Sequence, residues 1–155
     1  MQNFPAAGIP AGEYDFSIID AHCDALLAVI GKSQIPGDVG KRDLLARNAM
    51  SHIDLPKLLE GAVRCQFFAL FAEDEDVPRA REYTHHLIDE FEAACARSNG
   101  ALFPILKASD LAAAQPGKRV GGLLSIEGAE ALEGSLDAAD EFYARGVRAI
   151  GITWN

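Results

Sequence analysis

Ile18-Ile19-Asp20-Ala21-His22-Cys23-Asp24 is a short apolar run that closes on a histidine and an aspartate two residues apart. An apolar run of this length reads as a buried strand. Side chains alternate along a strand, so positions i and i+2 point the same way. His22 and Asp24 are therefore expected to project together from the strand's C-terminal end. A neutral imidazole and a carboxylate are good ligands for a borderline divalent cation such as zinc. The same triplet also suits a strand-end histidine followed by a helix-capping aspartate, and by itself it leaves both readings open.

Outward from this strand the chain alternates between apolar runs and helical stripes. Residues 1–15, with Pro5, Gly8, Pro10 and Gly12, read as an irregular lead-in to a strand at about 16–22. A helical turn over 25–30 stops at Gly31, and 31–40, with Pro36, Gly37 and Gly40, reads as a loop. Leu44, Leu45 and Asn48 predict a short helix over 41–50, and a second short helix over 57–60 ends at Gly61. The run 63–71 is nearly all apolar after Arg64, as in a strand buried on both faces. Pro78 suits the first turn of a helix reaching about Arg97, with Ala80, Tyr83, Leu87, Ile88, Phe91, Ala94 and Cys95 on one stripe. The acidic run Glu73-Asp74-Glu75-Asp76 favours that helix's positive end. A brief extended piece at 103–107 precedes a short helix capped by Ser109. The third main strand, 122–126, ends at Glu127-Gly128. Ser135 is expected to cap a helix over 136–145, with Leu136, Ala139, Phe142 and Tyr143 on its apolar side, before a fourth strand at 147–153. The order β-α-β-α-β-α-β, with helices long enough for crossovers, implies an α/β fold with a parallel sheet. No internal boundary divides residues 1–155.

The 155 residues are enough for one ordinary domain with a real core. A net charge of −9 argues against nucleic acid or an anionic membrane as partner, because both select basic patches. No signal peptide is read at the N-terminus, and no apolar run is long enough to span a bilayer. Cys23, Cys65 and Cys95 are scattered and odd in number, which points to reduced thiols and a cytoplasmic setting.

Residues at the C-terminal ends of successive parallel strands converge on one face. Glu127 ends the third strand, so it is either a site residue beside His22 and Asp24 or a cap for the next helix. Two metals sharing a bridging carboxylate fit the first reading. His85 and His86 read as a solvated pair on a helix flank, and His52 as a loop residue near the site but not a ligand. Trp154 either walls a pocket or covers the core. Nucleophilic catalysis has no support: Ser125 lies in Leu124-Ser125-Ile126 rather than in a G-x-S-x-G turn. Gly40-Lys41-Arg42 lacks the hydroxyl residue of a phosphate loop.

Five blocks in order carry a resemblance: Ile19-Asp20-Ala21-His22-Cys23-Asp24; His52-Ile53-Asp54-Leu55-Pro56-Lys57-Leu58; Gln66-Phe67-Phe68; Leu124-Ser125-Ile126-Glu127-Gly128-Ala129; and Tyr143-Ala144-Arg145-Gly146-Val147-Arg148 with Thr153-Trp154-Asn155. The chain resembles the membrane (renal-type) dipeptidase family of zinc metallopeptidases, in its N-terminal half only. The resemblance implies the first half, about four β/α units, of a TIM-type (β/α)8 barrel. It implies two zinc ions, with His22 and Asp24 on one and Glu127 bridging both as a catalytic residue. It implies hydrolysis of dipeptides, with tolerance for a D-residue at the C-terminal position, by a metal-activated water. The family's other zinc-binding histidines and a further site aspartate belong to a second half that these residues do not include. Trp154 stands where some members carry a substrate-contacting histidine, which makes it a candidate substrate-binding residue.

Expected partners are a dipeptide substrate and either the C-terminal half of the barrel or another copy of the chain. Two alternatives remain: a catalytically incomplete half-barrel serving as a fragment or interaction module, and a related barrel amidohydrolase acting on another amide.

Overall fold

Val63–Phe71 (β2) and Val120–Glu127 (β4) form the centre of a parallel sheet in the computed structural model, which describes residues 17–32 and 40–154. They pair from Cys65 opposite Gly121 to Phe71 opposite Glu127. Ile18–Asp20 (β1) lies on the far edge of β2. The other edge of β4 is shared: Leu102–Pro104 (β3) pairs with Val120–Gly122, and Val147–Gly151 (β5) pairs with Leu124–Glu127. Every named strand pair is parallel. The C-terminal ends of β1, β2, β4 and β5 therefore point to one rim, as the sequence order of strands and crossovers anticipates.

One face of the sheet is packed. Phe68 on β2 meets Phe91 of the long helix Ala80–Arg97 (α3), ring centroids 5.4 Å apart. Gly122 on β4 has no side chain because Phe91 fills its place: a Cβ there would sit 2.5 Å from the ring. Leu87, Ile88 and Phe91 are buried at helical spacing. Thr84 joins them although its hydroxyl excludes it from an apolar count.

The other face is only half covered. Leu123, Ser125 and Glu127 on β4 and Phe67 and Phe71 on β2 are intermediate in exposure. Ile18 and Ile19 are 42% and 56% exposed. The expectation that these strands are buried on both faces is thus met on one face only.

Ala25–Val29 (α1), Leu55–Glu60 (α2) and Leu136–Ala144 (α4) complete the helices, with a 3-10 turn at Val77–Arg79 leading into α3. Asn99 and Gly100, both with positive φ, end α3 as expected. The lead-in and most of the 31–40 loop lie outside the described residues.

Four local expectations are corrected. Residues 41–50 hold turns instead of a helix. There, side chains capture the backbone donors: Asp43 Oδ1 accepts from Leu45 N–H and Asn48 Oδ1 from Met50 N–H. Asp110, not Ser109, caps the turn at Ala108–Ala113, accepting from the N–H groups of Leu106 and Lys107. On α4 only Ala138 and Phe142 are buried, while Leu136 and Tyr143 are exposed; Ser135 makes no side-chain cap bond. The acidic run after β2 wraps a lysine, as described below.

Candidate metal centre

The segment after β1 is irregular, so strand alternation does not bring His22 and Asp24 together. Short-range hydrogen bonds do. Asp20, the last residue of β1, accepts the His22 N–H on Oδ1 at 3.2 Å. The Cys23 carbonyl accepts the Ala69 N–H of β2 at 2.9 Å. Cys23 is buried, and burial pushes its thiol up to about 12, so it is inert packing. Asp24 precedes α1, yet its side chain caps nothing. Its Oδ2 lies 3.3 Å from His22 Nε2 instead. The helix-cap reading of Asp24 therefore fails, because the carboxylate turns to the imidazole.

Glu127 arrives from the other side of β2, at the end of β4. Its Oε2 lies 3.7 Å from His22 Nε2. One ligand atom each from His22, Asp24 and Glu127 falls within 4.8 Å of the others. Gly128 follows with φ +83°, a conformation that a side chain would strain. Burial raises the Glu127 carboxyl above the usual carboxylate range; the His22 ring opposes this and the Asp24 charge adds to it. Two carboxylates held near each other and one imidazole make a donor set that suits zinc, and a divalent cation relieves the repulsion between the acids.

Asp24 separates two clefts. One, of about 480 Å³, is lined by His22, Asp24, Arg42, His52 and Asp54 among others. His52 is exposed on its wall. The other, of about 680 Å³, is lined by Asp24, Phe71, Glu73, Asp74, Glu75, Glu127 and Trp154. Trp154 stands edge-on to Phe71 with centroids 5.4 Å apart and lines this cleft. His85 lies between α3 and α4, where Nε2 faces Glu141 at 2.8 Å and Nδ1 faces Arg145 at 3.1 Å. It is a helix-packing residue more than a solvated one, while His86 is exposed.

Three contributors had no local signal. Lys32 reaches across to the acidic run, with Nζ 3.3 Å from Glu73 Oε2, 2.7 Å from Glu75 Oε1 and in contact with Asp76. Glu73, Glu75 and Asp76 also cluster as a metal site does, but they gather on this ammonium. Phe71 supplies an aromatic wall, and Gln66 is a wholly buried amide beside Asp20. Lys32 and its acids are separated by more than forty residues, beyond the reach of any periodicity.

No helix among the described residues is long and apolar enough to cross a membrane. No curated protein matches the chain. Among solved structures, it is similar to dipeptidase AC, a metallopeptidase of family M19, at 23% identity and TM-score 0.74, covering 89% of this chain and 43% of that one. It is similar to a Rhodobacter sphaeroides metallopeptidase liganded with a phosphinate mimic of the dipeptide L-Ala-D-Ala, at 21% identity and TM-score 0.75, covering 89% and 45%. The probable dipeptidase PvdM from Pseudomonas aeruginosa follows at 19% identity and TM-score 0.64, covering 70% and 30%. The chain thus spans less than half the length of these structures, and its parallel β/α order is that of the first half of a TIM-type (β/α)8 barrel. The membrane dipeptidase model matches residues 13–155, so this chain belongs to the membrane dipeptidase family, peptidase family M19.

Proposed function

We propose that these residues, 1–155 as a single unit without internal boundary, carry the first half of the site of a zinc-dependent dipeptidase. The observation that carries the reading is the convergence of His22, Asp24 and Glu127 at the rim of the sheet, with ligand atoms within 4.8 Å of one another. In this reading His22 and Asp24 hold one zinc and Glu127 bridges to a second. Zinc bound there supplies a Lewis acid and a water acidic enough to attack a peptide carbonyl. Asp20 and Ala69 hold the His22-Cys23-Asp24 segment in place through its backbone. Phe71 and Trp154 wall the cleft in which the substrate lies and exclude water from one side, and Trp154 is its substrate-binding residue. Asp74 lines the same cleft beside Glu73 and Glu75, which are held by Lys32, and its charge suits the free ammonium group of a dipeptide.

Substrates are dipeptides, including those with a D-residue at the C-terminal position, as the ligand of the Rhodobacter sphaeroides relative suggests by analogy. The remaining ligands belong to a second barrel half, on the same polypeptide or a separate one; another copy of the chain could complete the sheet but would duplicate these ligands. Three unpaired cysteines favour a reducing compartment, the cytoplasm.

The share of the relatives' length favours a second reading, a catalytically incomplete half-barrel that binds metal weakly or not at all. Zinc titration by calorimetry, with turnover of L-Ala-D-Ala, separates the two. Two zincs per chain and metal-dependent hydrolysis with the second barrel half present support the first, and absence of both under the same conditions supports the second. In the first case Glu127→Gln abolishes the hydrolysis; unchanged turnover in that variant overturns the role given to Glu127.

A further inference from the structure

Gln66 is 0% exposed on the packed face of β2, between Arg64 at the strand's start and Phe68 and Leu70 beyond. Its Oε1 accepts no hydrogen bond among the described residues. A buried polar atom left unsatisfied is costly, and a methionine or leucine of similar volume avoids that cost. The amide end of Gln66 must therefore offset it. Nε2 donates to the Phe67 carbonyl at 3.1 Å and to the Asp20 carbonyl at 3.4 Å.

The second acceptor matters because of where it lies. β1 has three residues, and its register with β2 slips between Ile18 and Ile19. Ile18 and Ile19 are exposed, so little side-chain packing holds the strand down. Asp20 is its last residue and the register partner of Gln66. The same Asp20 holds the His22 N–H on its carboxylate. Beyond it, the Ala69 N–H bond to Cys23 is the next tie to β2. The short β1–β2 backbone ladder, with Ile18 N–H on the Ala62 carbonyl, and the Ala69 bond to Cys23 hold this segment, and the side chain of Gln66 adds the side-chain tie at the end of β1.

We infer that Gln66 is a positioning residue for the metal centre: its buried amide fixes the end of β1 and, through Asp20, the placement of His22. The inference rests on the metal-binding reading given above. Groups that orient a ligand through an intervening contact typically change metal affinity by about 10–100-fold when removed. Gln66→Met keeps the volume, removes the donor and also removes the unsatisfied oxygen. A purely structural glutamine predicts changed stability and unchanged metal binding. A positioning glutamine predicts the reverse.

The test is titration of the 155-residue chain with Co²⁺, followed by its visible absorption, with thermal melting of the metal-free protein alongside. Expected is a wild type that binds Co²⁺, and a Gln66→Met variant that melts as high or higher but binds about tenfold or more weakly, with an altered visible band. Equal affinity and an identical spectrum in a folded variant overturn the inference while leaving the metal site standing. A wild type that binds no Co²⁺ overturns the metal-binding reading and this inference with it. Should the variant not fold, the wild type decides alone. The Gln66 side-chain amide protons, followed by NMR, are expected to be protected from exchange and to shift on adding Co²⁺ or Zn²⁺. Protons that exchange freely and do not shift overturn the inference.

Discussion

Asp54 offers the most demanding test of how the site-bearing loops are held. Its carboxylate is 1% exposed and caps α2, where Oδ1 accepts the Lys57 N–H at 2.9 Å. Oδ2 accepts the Asn48 N–H at 3.0 Å and the Ser51 hydroxyl at 3.3 Å, and stands 3.0 Å from Lys57 Nζ. Asp54→Ala removes all of this at once. Loss of the helix cap costs about 1 kcal/mol. The Asn48 N–H left without its acceptor adds about 1–2 kcal/mol. Lys57 keeps the Asn48 and Ser51 carbonyls, so loss of its counter-charge adds about 1 kcal/mol. The total is about 3–4 kcal/mol, or a drop of about 10 °C in melting temperature for a chain of this size.

The effect has a pH signature. Burial opposes ionisation of Asp54, but the hydrogen bonds from Asn48 and Lys57 and the Lys57 charge outweigh it and hold the carboxyl below the usual range. A lowered carboxylate stabilises the fold fully above its unfolded value, about 3.9. That contribution is lost as pH falls through the lower folded value. The gap between wild type and Asp54→Ala is therefore constant from about pH 5 to 8 and narrows in acid. Urea denaturation at several pH values reads it directly. A gap below about 1 kcal/mol at neutral pH, or one that does not narrow in acid, refutes the reasoning.

Three further outcomes are expected. Gly122→Ala drives a methyl group into the Phe91 ring and costs about 1–3 kcal/mol by denaturant unfolding, whereas Gly100→Ala tests only backbone strain because nothing lies within 4 Å of its Cβ. Lys32→Met leaves the nearly buried Asp76 and its neighbours without their cation. It destabilises the chain by about 2 kcal/mol, with crystallographic displacement of the Glu73–Asp76 loop as the structural readout. Burial raises the Cys23 and Cys95 thiols to about 12, so iodoacetamide at pH 8 is expected to label them slowly in the native chain and rapidly in urea, as followed by mass spectrometry.

Local chemistry made much of this protein legible from sequence. β2 spans the residues its largely apolar run delimits, a run too short for a typical helix and interrupted only by Arg64 and Gln66. The helix ending at Arg97 is stopped by Asn99-Gly100, whose left-handed backbone is a property of those residue types. The placement of Glu127 at the same rim as His22 and Asp24 follows from strand order and from parallel strands ending together. The apolar stripe of α4 was less legible, because Leu136 and Tyr143 fit a helical period whether or not anything covers them.

What tertiary structure alone decided is what lies across the chain. Whether Asp24 caps a helix or turns to an imidazole depends on where Glu127 and β2 stand. Lys32 and the acids after β2 meet over more than forty residues, and Gln66 meets Asp20 over a similar span. Helix and strand periods report only near neighbours, whereas ion pairs and buried amides depend on distances that the packed sheet sets. The order of strands and helices was thus written in the sequence, whereas β1 and β5 end earlier than their apolar runs, at Asp20 and Gly151, and the packing of β1, β2 and β4 decided which residues meet.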